Sequence, residues 1–260
     1  MAETQLIQLE LPNLVTFLAE KLGFHPLLAR WLLAWENIIF SALIIFVLSL
    51  AGYLISRKSA LIPGRLQNIA EIFVGGVDDF ICGIMGERGR RFTPFIGTLF
   101  IYILTMNLFG LVPFMKSPTS SWSTTLGLAL CVFVYVQYTA FRELGFVGYL
   151  DHMLGKPRGI LAFSVFIPIL MFFLHLVSEF VRPISLSLRL RSNIWGDDLL
   201  LAVLTQFGFK GIPLLLFNTF LTIIASTVQA VVFCLLSTIY FSLIIVAEED
   251  HQQKEVSNGL

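Results

Sequence analysis

The chain has 260 residues, of which 57% are hydrophobic and only 13% charged, and its mean hydropathy is +0.84. Soluble domains usually have about 45–50% apolar and about 25% charged residues, so this composition excludes an ordinary soluble enzyme and a disordered chain. The 17 lysines and arginines balance the 17 acidic residues, so no basic excess favours nucleic acid as a partner. We predict an all-α polytopic membrane protein with one membrane domain, residues 1–260.

The three cysteines Cys82, Cys131 and Cys234 are far apart in apolar surroundings. Their odd number gives no disulfide framework, and their spacing matches no metal site. We therefore expect buried apolar thiols, with no metal and no cofactor.

Residues 1–30 do not have the pattern of a secretory signal, because Glu3, Glu10 and Glu20 precede the first basic residue. We expect this segment to lie outside the membrane. Acidic residues this early also argue against an organellar transit peptide.

The first stretch long enough to cross a bilayer, which takes about 20 apolar residues, is 32–55. Trp31 and Trp35 stand at its start, and Arg57 and Lys58 at its end. These residue types anchor a span at the membrane interface, so we predict the first transmembrane helix here.

Residues 64–91 have apolar positions at helical spacing, but their acidic side chains make the segment too polar to span a membrane. We predict an amphipathic helix that lies in the interface and ends in a basic patch. The acidic residues are Glu71, Asp78, Asp79 and Glu87, and the patch is Arg88, Arg90 and Arg91.

Two further spans are predicted over about 95–112 and 126–141. The first ends at Pro113 and the second at Arg142, because proline and a charged pair both interrupt an apolar helix. A polar loop that contains Asp151 and His152 is expected to follow, up to about residue 160.

The chain then continues as two long apolar stretches, predicted as a helical hairpin over 161–247, and a polar tail over 248–260. If 162–206 is one helix, it extends about 68 Å at about 1.5 Å per residue, against a hydrocarbon core of about 30 Å. Such a helix must tilt steeply to stay within the hydrocarbon core. The same argument applies more weakly to the shorter stretch 213–246. The alternative is a break at Pro183 that gives two shorter helices.

Basic residues orient the spans, because cytoplasmic loops carry an excess of lysine and arginine. With the N-terminus outside, ten lie on inner segments: Arg57, Lys58, Arg65, Arg88, Arg90, Arg91, Arg142, Lys156, Arg158 and Lys254. Four lie on outer segments: Lys21, Arg30, Lys116 and Lys210. The excess predicts five spans, with the N-terminus outside and the C-terminus cytoplasmic.

Ionisable side chains are concentrated in 175–198, although each costs about 2.5–3.5 kcal/mol at the centre of a membrane helix. They are His175, Glu179, Arg182, Arg189, Arg191, Asp197 and Asp198. The following residues recur at every third or fourth position and therefore share a helix face: His175, Glu179, Arg182, Ser185 or Leu186, Arg189 and Asn193. This polar stripe is predicted to line a water-filled path or to contact a polar partner.

The last stretch has a weaker polar stripe, Asn218, Thr222, Ser226 and Gln229. Its hydroxyl groups could simply join helices by hydrogen bonds. Gln229, in the middle of the span, could instead hydrogen-bond the stripe on the preceding helix.

Residues 182–193 read RPISLSLRLRSN, and this segment resembles the most specific motif of subunit a of the rotary ATP synthases. Further similar segments are RLQNIAE at 65–71, FTPFIGTLF at 92–100, NLFGLVP at 107–113 and TVQAVVF at 227–233. The resemblance extends over about residues 35–250, in the family's order.

The resemblance implies a non-catalytic, static proton-channel subunit in a bacterial inner membrane. Its partners would be a rotating ring of c subunits that carry membrane carboxyl groups, b-type peripheral stalk subunits, the rest of the ATP synthase and the lipid bilayer. An organellar membrane is the less favoured location.

The resemblance also implies roles for particular residues. Arg189 would be the essential arginine, Asn193 its neighbour and Gln229 its partner on the last helix. Asp198 stands where the family usually has Glu. His175 stands at a position that is often acidic, with Glu179 one turn later.

Arg191 and Ser192 depart from the family, which usually has Phe-Gly there. Arg191 lies about 200° round the helix from Arg189, so the two should not meet the same carboxylate. Arg191 could pair with Asp197, reach a lipid or contact another subunit.

These residues suggest two half-channels separated by a permanently charged arginine. We expect Asp198 and Asp197 on the outer path, and Glu179 and His175 on the inner path. His175 could instead be a hydrogen-bonded core side chain, and Glu179 a structural partner of Arg182.

Three other classes of protein were weighed. An anion transporter or channel that uses Arg189 predicts glycine-broken helices and internal symmetry, and neither is visible. A membrane scaffold predicts no ionisable stripe. A membrane enzyme needs a metal set or a nucleophile–base spacing, which the sequence lacks.

Overall fold

The computed structural model describes residues 35–57, 64–112, 115–153 and 163–258. The predicted outer segment 1–30 and residues 154–162 of the polar loop lie outside this description. The described residues form six α-helices: α1 Glu36–Arg57, α2 Arg65–Met85, α3 Thr93–Phe109, α4 Trp122–Met153, α5 Phe163–Thr205 and α6 Ile212–Asn258.

Those described residues contain no β-strand. Five helical segments within them are long and apolar enough to cross a membrane: Glu36–Arg57, Glu87–Phe109, Trp122–Gly145, Ile169–Thr205 and Gly208–Ile245. The prediction of an all-α polytopic membrane protein with about five spans is confirmed.

α1 packs loosely at the side of the bundle, against α3. The hydroxyl groups of Ser41 and Tyr102 lie 2.5 Å apart, and the rings of Phe40 and Phe109 are 6.1 Å apart. Most other large side chains of α1 are exposed. This helix is therefore available to lipid or to another protein over most of its surface.

α2 leads into α3 through a 3-10 turn, Glu87–Phe92, that a single carboxylate fixes. Asp78 accepts hydrogen bonds from the Thr93 hydroxyl at 2.7 Å and from Arg90 Nε at 3.0 Å. The Thr93 hydrogen bond and the Arg90 charge hold the pKa of Asp78 below its usual value. The predicted interfacial segment is thus tied to the start of the next span.

α3 ends at Phe109, before the predicted stop at Pro113. The chain that follows turns back, and the Ser117 hydroxyl donates a hydrogen bond of 2.8 Å to the Met106 carbonyl oxygen. A hydroxyl that satisfies a last-turn carbonyl ends the helix without a proline.

α4 continues beyond its predicted end at Arg142. Gly145 has φ 66° and ψ 171°, which kinks the helix, and helical structure then resumes to Met153. The expectation that Asp151 and His152 lie in a loop is therefore wrong. A glycine with positive φ redirects the chain, and a second helical segment starts at once.

α5 is a single helix of 43 residues that runs through Pro183, so the alternative of two helices broken at this proline is wrong. Its length is about 65 Å at about 1.5 Å per residue. The predicted bounds, 162–206, differ from the observed ones by one residue at each end.

α6 has 47 residues and extends to Asn258, so the predicted polar tail is helical over most of its length. Glutamate, glutamine and lysine are good helix formers. They prolong a helix that is already nucleated at little further cost.

An aromatic cluster joins the start of α3 to α4 and α6. Phe92 stacks on Phe241 with ring centroids 4.5 Å apart, and Phe95 lies 4.5 Å from Tyr135. The rings of Tyr135 and Phe241 are 5.4 Å apart. This cluster belongs to the apolar core that supports the inward side of α5.

The cysteines are not uniformly buried. Cys234 is buried in the core and Cys82 is half-buried, but Cys131 is exposed on α4. The expectation of three buried thiols is wrong for Cys131, because one side of a lipid-facing helix can expose an apolar residue.

Gly211 closes the tight connection between α5 and α6. A Cβ atom there would lie 2.8 Å from the Leu204 carbonyl oxygen and 3.1 Å from Phe207 Cβ. Gly211→Ala should destabilise the hairpin by about 1–3 kcal/mol, as overpacking does. Thermal unfolding in detergent measures this. Gly127→Ala on α4, where no atom lies within 4 Å, is the matched control, and equal losses would contradict the steric argument.

Candidate functional site

The polar stripe of α5 is divided between two environments. Glu179 and Arg182 are half-buried and packed towards α4 and α6, whereas Arg189 is exposed, although it lies only about 20° round the helix from Arg182. The buried residues Leu186 and Leu190 hold α5 against the core. The predicted shared face is therefore one edge of the helix, part of which is inside the bundle.

Glu179 and Arg182 form an ion pair, with Arg182 Nη1 2.9 Å from Glu179 Oε1. The amide of Gln137 on α4 donates a hydrogen bond of 2.7 Å to the other carboxylate oxygen. The side chain of Glu179 is 18% exposed and that of Arg182 is 25% exposed. The carboxylate is therefore largely removed from water, with Arg182 bonded to one oxygen and Gln137 to the other. The alternative in which Glu179 is the structural partner of Arg182 matches this contact.

Two tyrosines complete the arrangement. The Tyr149 hydroxyl donates a hydrogen bond of 2.9 Å to Gln137 Oε1, and Arg182 Cζ lies 5.0 Å from the ring centre of Tyr240. We call Gln137, Tyr149, Glu179, Arg182 and Tyr240 the three-helix cluster, because α4, α5 and α6 all contribute. Burial, and then the negative charge of Glu179, raise the pKa of Tyr149, so this group stays a hydroxyl donor.

His175 lies one turn before Glu179 and is half-buried. Its Nδ1 is 3.1 Å from the carbonyl oxygen of Met171 in the preceding turn. A ring N–H at Nδ1 would donate to that oxygen.

Arg189 lines an open groove on the outer surface of α5, with Val181, Ile184, Ser185, Leu188 and Ser192. Its guanidinium forms no ion pair with any side chain in the described part of the molecule. A permanently charged group in this position offers its charge to something outside the chain.

Gln229 is buried on α6 with 7% of its surface exposed. The described residues show no hydrogen bond between its amide and Arg189. Thr222 bonds the carbonyl oxygen of Asn218 in its own helix at 3.0 Å, so this hydroxyl does not join helices. The Ser226 hydroxyl is buried without a partner.

The far end of the stripe has its own polar groups. The guanidinium of Arg191 lies over the Trp122 ring at 5.1 Å, and its Nε is buried without a hydrogen bond. Asp197 Oδ2 is also buried and has no hydrogen-bond partner among the described residues, so it is not paired with Arg191. Asp198 and Asn193 are half-buried nearby along the helix.

Sequence reasoning missed Gln137 and Tyr149, and it placed Tyr240 on the last helix without a role. A single amide within the apolar stretch of α4 is a signal that could have drawn attention to Gln137. The two tyrosines are ordinary in a membrane helix, and only the packing of three helices reveals their contacts.

Comparison with known proteins gives a consistent result. The family described as ATP synthase A chain matches residues 38–242. ATP synthase subunit a of Protochlamydia amoebophila is 42% identical over 243 residues, which covers 90% of this chain and 89% of that protein.

The same protein of Solidesulfovibrio magneticus is 37% identical over 205 residues, 79% of this chain and 82% of the relative. That of Helicobacter pylori is 33% identical over 215 residues, 82% and 90% of the two chains.

Removing the cation from the Glu179 pair should destabilise the bundle. Arg182→Met leaves a partly buried carboxylate unpaired, which costs about 1–3 kcal/mol. Arg90→Met is the control, because Arg90 is 67% exposed in its pair and water can replace it, so its loss should be smaller. Thermal unfolding in detergent ranks the two variants. Adding Glu179→Gln to Arg182→Met should recover part of the loss, and no recovery would contradict the pairing argument.

Proposed function

The chain belongs to the family of ATP synthase subunit a, the proton-translocating component of the enzyme's membrane sector, and we propose that Arg189 separates two half-channels within it. Subunit a is a multi-pass membrane protein and not a catalytic subunit. The observation that carries the proposal is Arg189, which is exposed on the long helix α5 and forms no ion pair with the described residues.

Arg189 acts on a carboxyl group that a rotating c-subunit ring brings past the groove. A guanidinium stays protonated, and at short distance it favours the ionised form of a carboxyl. A ring carboxyl must therefore release its proton before it passes Arg189, and it takes up another before it returns to lipid. Protons cannot pass through the guanidinium, so net transport requires rotation.

The residues on either side of Arg189 define the two half-channels. Asp197 and Asp198 line the outer path, through which protons reach the ring. Glu179 and His175 line the inner path, through which they leave. Support comes from the half-buried position of all four side chains and from the unpartnered Asp197 oxygen.

Two amide side chains, those of Asn193 and Gln229, assist Arg189. Asn193 lies one turn beyond Arg189 on the same edge of α5, and Gln229 lies on α6. Both amides can hydrogen-bond a carboxyl in either protonation state, which suits a group that must release and regain a proton.

A steep tilt of α5 would bring both paths to the middle of the membrane. Its 43 residues measure about 65 Å, about twice the thickness of the hydrocarbon core. His175 and Asp198 are about 35 Å apart along the axis, and tilt reduces their separation in depth.

The working protein sits in a bacterial inner membrane as part of the whole ATP synthase. The N-terminus is outside and the C-terminus cytoplasmic. Besides the c ring, its partners are b-type peripheral stalk subunits and the surrounding lipid. All relatives compared here are bacterial.

Arg189→Ala should abolish ATP-driven proton pumping in inverted membrane vesicles, because nothing then enforces proton release from the ring. Assembly should persist, since the side chain is exposed and unpaired. Quenching of a pH-sensitive dye measures pumping. Arg191→Phe is the control and should keep most activity, and full pumping by Arg189→Ala would sink the proposal.

Asp198→Asn should slow proton-driven ATP synthesis more than ATP hydrolysis, because it removes a carboxylate from the outer path. A higher proton concentration outside should partly restore synthesis. The measurement is the synthesis rate against external pH, and a rate equal to that of the unmodified protein at every pH would count against this role.

A further inference from the structure

Both oxygens of the Glu179 carboxylate are occupied by donors from different helices. Arg182 Nη1 lies 2.9 Å from Oε1, and Gln137 Nε2 lies 2.7 Å from Oε2. Hydrogen bonds to a carboxylate favour its ionised form. The Glu179 carboxylate is therefore held in place by one charged group, Arg182, and by one neutral group, Gln137, that sequence reasoning did not assign to the site.

The Gln137 amide can face Glu179 in only one orientation. Its Oε1 accepts from the Tyr149 hydroxyl at 2.9 Å, which leaves the NH₂ group towards the carboxylate. If the amide were reversed, its oxygen would face the Glu179 carboxylate, and two acceptors would meet there. Its NH₂ group would face Tyr149, whose hydroxyl would have to turn and accept. The Glu179 carboxylate, which can only accept, thus fixes the direction of the Gln137 amide, and Tyr149 holds the amide oxygen.

Tyr149 reaches Gln137 because α4 kinks at Gly145. Gly145 has φ 66°, and the helical segment after it places the Tyr149 ring 4.4 Å from the ring of Phe141. The kink brings a residue 12 positions further along the chain back onto Gln137. A helix that ended at Arg142 would leave the amide without this partner.

Resting on the proposed function, we propose that Gln137 and Tyr149 are positioning residues of the inner proton path. Gln137 holds the Glu179 carboxylate in place beside Arg182, and Tyr149 holds the Gln137 amide by its oxygen. An amide does not readily pass a proton on, so the path touches Glu179 and does not continue through Gln137. Neither residue contacts the c ring.

The ionisable groups around Glu179 come from each helix that packs there. Arg182 is on its own helix, Tyr149 lies beyond Gln137 on α4, and the Tyr240 ring of α6 covers Arg182. His175 lies one turn away on α5. Arg182 supplies the opposite charge bonded to Glu179. Gln137 is uncharged, so a substitution there removes one hydrogen bond from Glu179 and leaves the ion pair in place.

The test is the pH dependence of ATP-driven pumping in inverted vesicles, where the medium contacts the inner path. Gln137→Leu removes one donor from Glu179, and a hydrogen bond to a carboxylate generally favours its ionised form. The acid limb of the pumping profile should then move towards neutral by about one pH unit, a tenfold change in proton concentration. ATP hydrolysis and the amount of assembled complex are measured in the same vesicles.

Three further variants separate positioning from a merely structural role. Gln137→Leu should cause no additional shift in a Glu179→Gln background, because its effect passes through Glu179. Tyr149→Phe, which loses only a hydroxyl, should shift the limb in the same direction by less. Tyr138→Phe, on the exposed side of α4, should cause no shift.

An unshifted pH profile in both Gln137→Leu and Tyr149→Phe would overturn the inference, even if assembly falls. Equal shifts with and without Glu179 would also overturn it. If Gln137→Leu does not assemble, Tyr149→Phe decides alone. Arg189→Ala is measured in parallel to keep the two proposals distinct. If pumping is blocked in Arg189→Ala but the pH profile of Gln137→Leu is unshifted, only the inference about Gln137 and Tyr149 is overturned.

Discussion

A charged side chain within a membrane must be paired with an opposite charge, hydrated, or in contact with a polar group of another molecule. The three arginines of α5 differ in their surroundings. Arg182 is paired with Glu179 inside the bundle. Arg191 lies over an indole ring. Arg189 has no partner in the described part of the chain and is exposed to whatever lies beside α5. Of the three arginines of α5, Arg189 is therefore the one that the packing of the described helices leaves exposed.

α4 and α6 make that arrangement possible. Both pack along α5, and the aromatic cluster of Phe92, Phe95, Tyr135 and Phe241 locks them to the start of α3. Packing fixes the inward side of α5, and its other side is exposed in the described part of the molecule. The ion pair of the three-helix cluster precedes Arg189 along α5, and Asp197 and Asp198 follow it.

The sequence was sufficient for the features that depend on length and period. The bounds of α5 agree within one residue at each end, because an apolar run must end where polar residues begin. The stripe from His175 to Asn193 followed from helical spacing. The kink at Gly145 and the contacts of Tyr149 did not, since a glycine at positive φ cannot be told from other glycines by its neighbours. The helical tail after 247 was missed because its polarity resembled that of a loop.

The tight turn at Gly211 bears on how the chain enters a bilayer during synthesis. A segment with the seven ionisable side chains of α5 partitions poorly into lipid by itself. α6 follows after only a few residues and is strongly apolar, so it can lie against α5 as soon as it leaves the insertion machinery. The short connection therefore allows the two helices to enter the bilayer as one hairpin, in which the apolar α6 already packs against the charged α5.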